Sequence, residues 1–247
     1  MTACGIEYDR GDWYMEKKIK WLLIYAVTIL TVLTVTVMTN RTISVIAENQ
    51  REERRHCIVI DPGHGGEDGG AVSVSGRAES GYNLEIAVRL NDMLHFLGYE
   101  TVMTRDSDVS IYTKGETLAQ KKVSDLKERV RIVNNTENAL LLSVHQNFFP
   151  DKRYTGPQIF FSHTEESEEL AKHLQKVLVA GVNPGSSRQA KKSSGIYLME
   201  HIQCPGVLIE CGFLSNYGEE AALRDPVYQK KISGLIAAGV SQYLSNT

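Results

Sequence analysis

The stretch ALLLSV, residues 139–144, is apolar except for one serine and shows no alternation of apolar and polar positions. A run of this kind reads as a strand with both faces buried, so helices must cover both sides of its sheet. The chain from His56 onward follows the same logic. Further strands are expected at residues 58–60, 99–103, 158–162 and 206–209. Helical patterns lie at residues 82–97, 125–133, 167–179 and 226–244. In the first of these, Leu84, Val88, Leu90, Leu94 and Leu97 recur at helical spacing, and Gly98 stops the run. Strands alternating with helices predict an α/β domain, a three-layer arrangement with a mainly parallel sheet covered by helices. Ligands of such sheets bind beyond the carboxyl ends of the strands. Unusual polar residues cluster there: His64 after the first strand, His145 after ALLLSV, and Glu210 after VLI.

Of 247 residues, 42% are hydrophobic and 23% charged, enough apolar material for one sizeable core. The net charge of -3 gives no global basic signature, so nucleic acid is not an expected partner. Cys4, Cys57, Cys204 and Cys211 form no CxxC pair, which argues against a disulfide framework or a four-cysteine zinc knuckle. Cys204 and Cys211 read as buried free thiols, with a bridge between them as the alternative.

Residues 21–38 (WLLIYAVTILTVLTVTVM) carry no charge and match the length a bilayer core requires. Lys17, Lys18 and Lys20 precede them, which places the N-terminal side in the cytoplasm and the remainder outside. The expected layout is a cytoplasmic extension at 1–20, a signal-anchor or signal peptide at 21–39, a charged linker at 40–55 and a catalytic domain at 56–247. Val45, Ile46 and Ala47 resemble a small-residue cleavage site, but the apolar run is long for a signal peptide, which favours an anchor. Met15 is an alternative start to Met1.

Residues 61–70, DPGHGGEDGG, pose the chemical question. A dinucleotide fingerprint would need a third glycine where Asp68 stands, the Walker lysine is missing, and the acids would repel a phosphate. A metal site explains more. Zinc takes imidazole nitrogen and carboxylate oxygen, with three protein ligands in a catalytic site. His64 and His145 are the candidate nitrogen donors. For the carboxylate, Glu67, Asp68, Glu79 and Glu85 all remain open on spacing, and Glu79 could equally be a helix-entry acid favoured by the dipole. Glu210 ends an apolar strand, where desolvation is costly unless a function offsets it, and is a candidate general base. There is no HExxH zincin helix.

Four motifs, in order, carry a resemblance: IDPGHGG at 60–66, Glu79 with Asn83 and Leu84, SVHQN at 143–147, and IECGFLSN at 209–216. Together with Thr104, Arg105 and Arg129, they resemble the zinc-dependent N-acetylmuramoyl-L-alanine amidases of the type-3 family, from about His56 to the C-terminus. The resemblance implies a zinc-amidase/exopeptidase-like fold preceded by one hydrophobic helix. It implies hydrolysis of the amide between the muramic acid lactyl group and L-alanine in peptidoglycan. It implies one zinc ion held by His64, Glu79 and His145, with Glu210 catalytic and Asn147 and Arg105 as substrate contacts. The membrane segment and the lack of wall-binding repeats look like the spore-cortex, germination-specific branch, whose product leads to muramic-δ-lactam. Peptidoglycan glycan strands with stem peptides are the implied partner, together with an activating protein and the membrane through residues 21–39. Gln146, Phe148 and Cys211 depart from the family's usual residues. Cys211 is expected to point away from Glu210 and pack. The competing readings are a non-catalytic, membrane-tethered peptidoglycan-binding or activator domain and a zinc exopeptidase.

Overall fold

The computed structural model describes residues 10–53 and 56–246, with side chains at 15–43 and 56–246. The chain divides into two compact units, Met1–Arg54 and Arg55–Thr247. Cys4, Arg54, Arg55 and the side chains of Val45, Ile46 and Ala47 lie outside the described residues.

The first unit holds α1 (Arg10–Glu53), so helix continues through residues 40–53. Its segment Met15–Ile43 is long and apolar enough to cross a membrane. Threonines within it do not leave free hydroxyls. Thr28, Thr31, Thr34, Thr36, Thr39 and Thr42 each donate to a carbonyl three or four residues back. Those bonds satisfy the polar groups that a lipid environment would penalise.

The second unit is built on a six-stranded sheet of order β2-β1-β3-β6-β4-β5. The strands are β1 (Cys57–Pro62), β2 (Thr101–Met103), β3 (Ala139–Asn147), β4 (Gln158–Phe161), β5 (Lys191–Lys192) and β6 (Gly206–Phe213). All neighbours are parallel except β4 and β6, which run antiparallel. The helices are α2 (Glu79–Phe96), α3 (Leu118–Asn135), α4 (Ser167–Val182), α5 (Tyr197–His201), α6 (Tyr217–Arg224) and α7 (Pro226–Ser245).

The period-2 geometry of the strands sorts the core into two layers. Ile58, Ile60, Leu140, Leu142, Val207 and Ile209 face one cluster, with Ile86, Leu90, Leu174 and Ile236 from α2, α4 and α7. Val59, Leu141 and Leu208 face the other, with Val133 of α3 and Leu198 and Met199 of α5. This is the three-layer, mainly parallel mixed sheet expected from the run at 139–144. Local signals set the helix ends. Thr117 and Gln120 form a capping box at α3, Asn216 caps α6, and Asp225 caps α7 ahead of Pro226. Gly98 takes a positive φ of 84° after α2, a backbone state glycine adopts without strain.

Sequence reading missed the short β5 and α5 and the eight-residue α6, whose lengths give little periodicity to detect. Two strands also run further than expected: β3 extends through Asn147 and β6 through Phe213. His145 and Glu210 therefore sit within paired strands rather than after them, in register opposite each other. Cys211, as expected, is fully buried in the larger core cluster. Cys57, Cys204 and Cys211 are free thiols. Burial pushes the Cys204 thiol up to about 11, which leaves it protonated at neutral pH.

Candidate active site

Four elements converge at the carboxyl edge of the sheet: the loop after β1, the first turn of α2, and the ends of β3 and β6. The loop carries His64 in the left-handed region at φ 60°. That backbone state costs a non-glycine residue about 1–2 kcal/mol. It persists because two buried arginines grip the loop. Arg129 donates from Nη2 to the His64 carbonyl at 2.7 Å and from Nη1 to that of Pro62 at 2.8 Å. Arg105 donates to the carbonyls of Pro62, Gly63, Ser80 and Ser107. Arg129 is in turn anchored to Asp61, with Nη1 2.6 Å from Oδ1. Thr104 and Ser143 donate to the same carboxylate, each at 2.7 Å. Burial opposes the charge on Asp61, but Arg129 and these hydroxyls outweigh it and hold the carboxyl down to about 2.

The Arg105 side chain is buried, and its four bonds to backbone carbonyls support the loop. Asn147 remains half-buried at the end of β3, where its carbonyl accepts from Leu214 N.

His64, Glu79 and His145 come together, with one donor atom from each lying within 4.8 Å of the others. Glu79 opens α2, and its carboxylate is buried against four donors. Oε1 lies 2.9 Å from His145 Nδ1 and accepts from Gln146 N and Asn83 Nδ2, while Oε2 accepts from Ala71 N. Burial works against ionisation of Glu79, but the hydrogen bonds from His145 and His64 prevail and keep it well below the usual carboxylate range. His64 presents Nδ1 to Asp68 at 3.0 Å, which turns Nε2 towards Glu79 Oε2 at 3.3 Å. Burial lowers the His64 pKa, but the bonds to Glu79 and Asp68 raise it to about 9. The two imidazoles meet edge to face, centroids 5.0 Å apart.

The other open carboxylates are occupied elsewhere. Glu67 pairs with Lys121 on the surface, Glu85 with Arg77, and Asp68 braces His64 while pairing with Lys122. Sequence reasoning missed Asp68 in this supporting role, and also the links between Asn83, Gln146 and Glu79. The signal for Asn83 was its i+4 spacing from Glu79, which puts both on one face of α2.

Glu210 differs from all of these. Its Oε2 is buried and, among the described residues, has no hydrogen-bond partner. Burial raises its pKa to about 7, partly countered by the nearby imidazoles. A carboxylate isolated beside a cluster of two imidazoles and one well-ionised carboxylate fits a hydrolytic centre with a bound cation. The donor set of two nitrogens and one oxygen is of the kind that takes zinc, and the orphaned Glu210 oxygen is suited to handling a proton near neutral pH.

Fold and site together define a hydrolase with its reacting edge at the carboxyl ends of parallel strands. The chain belongs to the N-acetylmuramoyl-L-alanine amidase family, whose model matches residues 58–242. It is 39% identical over 190 residues to the germination-specific N-acetylmuramoyl-L-alanine amidase of Bacillus subtilis, covering 76% of this chain and 79% of that protein. It is 31% identical to the amidase LytC of the same organism, covering 75% of this chain but 35% of that longer protein. Among solved structures it is similar to the CwlD amidase of Clostridioides difficile in complex with the GerS lipoprotein. There the identity is 36% and the TM-score 0.75, over 78% of this chain and 100% of the other.

Proposed function

We propose that this amidase is a zinc enzyme of spore-cortex maturation, acting outside the cytoplasmic membrane from an anchor at residues 21–39. It cuts the amide between the lactyl group of N-acetylmuramic acid and L-alanine of the stem peptide. The observation that carries the hydrolytic reading is the unpartnered, buried Glu210 oxygen beside the His64, Glu79 and His145 cluster. The likeness to a germination-specific amidase supports the cortex role. The likeness to an amidase in complex with a lipoprotein supports an activating partner at the same membrane face.

In this reading His64, Glu79 and His145 hold zinc. The ion would supply Lewis-acid polarisation of the amide carbonyl and a more acidic water. Asp68 fixes His64 by taking its Nδ1 proton in a hydrogen bond, a second layer of support that keeps Nε2 directed into the cluster. Glu79 is held ionised by its backbone and side-chain donors. Glu210 takes a proton from the attacking water as oxygen bonds to the carbonyl carbon. It then gives that proton to the alanine nitrogen as the C–N bond breaks, leaving a lactyl carboxyl and a free amine.

The full chain, loaded with zinc, is expected to release stem peptides with free N-terminal alanine from peptidoglycan, read by mass spectrometry. Single amino acids among the products would indicate an exopeptidase instead. Zinc uptake without any cleavage would favour a binding or activator domain. Replacing either His64 or His145 with alanine is expected to lower zinc content, and unchanged metal analysis would refute the ligand assignment.

Gly63 offers a subtler test. A Cβ at this position would overlap the His145 ring at Nε2, so the ring must move. Gly63→Ala is expected to weaken zinc binding roughly 10–100-fold, the range seen when the support of a ligand is disturbed. Competition with a chelator measures it.

A further inference from the structure

The edge that carries His145 and Glu210 also carries an aromatic shelf that the hydrolytic chemistry leaves unused. Phe148, Phe149 and Tyr154 lie in the loop between β3 and β4, with 48%, 46% and 45% of their surface exposed. The loop belongs to the site's edge by topology. It leaves β3 just after His145, and it enters β4 at Gln158, which pairs with Glu210 across the antiparallel ladder. Each exposed ring forgoes the stabilisation that burial would give it. Exposed rings grouped on one loop, two of them in contact and the third their chain neighbour, mark a binding surface.

The loop is held in place. Asn147 O accepts from Leu214 N at 2.8 Å, and Phe149 N donates to Ser215 Oγ at 3.2 Å. Asn216 Nδ2 donates to Lys152 O, and Gly156 N to Glu219 Oε1, each at 2.7 Å. Phe149 and Tyr154 meet edge to face with centroids 4.8 Å apart, and Tyr154 lies 6.1 Å from Phe213. The rings are thus fixed at the surface by the backbone beneath them.

We propose that this shelf is a saccharide subsite, on which Phe148, Phe149 and Tyr154 receive the apolar faces of N-acetylated hexosamine units flanking the scissile lactyl amide. The proposal rests on the peptidoglycan reading above. A pyranose ring presents polarised C–H groups on its flat faces, and these are attracted to the negative face of an aromatic ring. The stem peptide, which is acidic, would call on cations, whereas Phe148, Phe149 and Tyr154 themselves present apolar surface. Arg153 pairs with Asp151, Arg188 lies over Phe213 while donating to Thr155 O, and Lys152 lies over the Tyr217 ring. A glycan asks for apolar rings, and the shelf offers them beside the Lys152 and Arg188 cations, Arg188 lying over Tyr154 as well as Phe213.

The probe is a glycan strand of alternating N-acetylglucosamine and N-acetylmuramic acid stripped of peptide, with free stem tetrapeptide as the comparison. The zinc-loaded full chain is expected to bind the stripped glycan. Phe148→Ala and Phe149→Ala should each weaken that binding about tenfold while leaving tetrapeptide affinity unchanged. On intact peptidoglycan the loss should appear mainly in KM. Phe148→Tyr, which keeps a ring, should restore binding. Zinc content equal to the parent's shows that a variant has kept its fold; if Phe149→Ala loses it, Phe148→Ala decides. Glycan affinity unchanged in Phe148→Ala, or an equal loss of tetrapeptide affinity, would overturn the subsite. A parent that cleaves peptidoglycan while the variants bind glycan normally defeats the subsite alone. A parent that binds glycan through these rings but cleaves nothing defeats the hydrolytic reading alone.

Discussion

Glu210→Gln is expected to retain zinc and lose about 10²–10⁴-fold in turnover, the contribution of a positioned proton-transfer group. The substitution keeps the shape of a side chain whose Oε2 is buried and unpartnered, so packing should survive. It removes the ability to accept a proton from water and return it to the leaving nitrogen. Because Glu210 is outside the His64, Glu79 and His145 cluster, metal content should match the parent. Rates on muropeptides and zinc analysis of the same preparation read both quantities. Turnover at the parental rate would remove Glu210 from the chemistry, and loss of zinc together with activity would recast it as a ligand.

The second large effect is on stability. Arg129→Leu should destabilise the domain by about 3–5 kcal/mol, the cost of leaving one member of a buried ion pair behind. Asp61 and Arg129 are 1% and 2% exposed, so water cannot replace the lost guanidinium. The hydroxyls of Thr104 and Ser143 would remain as donors, without its charge. The loss is a large share of the roughly 5–15 kcal/mol by which domains are stable, and urea unfolding measures it. The pH dependence gives a further check. In the parent, the Asp61 pKa is depressed on folding to about 2. Its stabilising contribution is therefore complete above the unfolded value and lost only as pH falls through about 2. Without Arg129, burial raises the carboxyl pKa instead, so the variant should be least stable at neutral pH and recover towards pH 4. A stability gap constant between pH 7 and pH 4 would rule out the buried carboxylate as its cause. The same variant frees the His64 carbonyl, so zinc affinity should fall with stability.

Several parts of this molecule were legible because they depend on local pattern. The apolar runs at 58–60 and 139–144 identify strands buried on both faces, and the sheet has helices on both sides. The spacing of Leu84, Val88, Leu90 and Leu94 with Gly98 marks α2 and its end. The motif around His64 and its order relative to SVHQN and IECGF pointed to the family that residues 58–242 match. Less legible were elements too short for a period, such as α5, and strand ends where polar residues interrupt an apolar run. Polarity marks a strand end in sequence and so places His145 and Glu210 past their strands, whereas the ladder continues through them.

Residue order alone is enough for the α/β class, the long apolar helix, and two histidines and an acid as the residues with unexplained chemistry. It left Glu67, Asp68, Glu79 and Glu85 open on spacing, and only the resemblance separated Glu79. The tertiary structure decided how these residues meet. The entry of α2 aims Glu79 between His64 and His145, while Asp68 turns back to brace His64. It also set Arg105 against the loop backbone and joined Asp61 to Arg129 beneath the loop. The reason is physical: periodicity records which face of an element is buried. Convergence of side chains 66 residues apart, such as Glu79 and His145, depends on strand register and on buried polar contacts. No local pattern encodes those contacts.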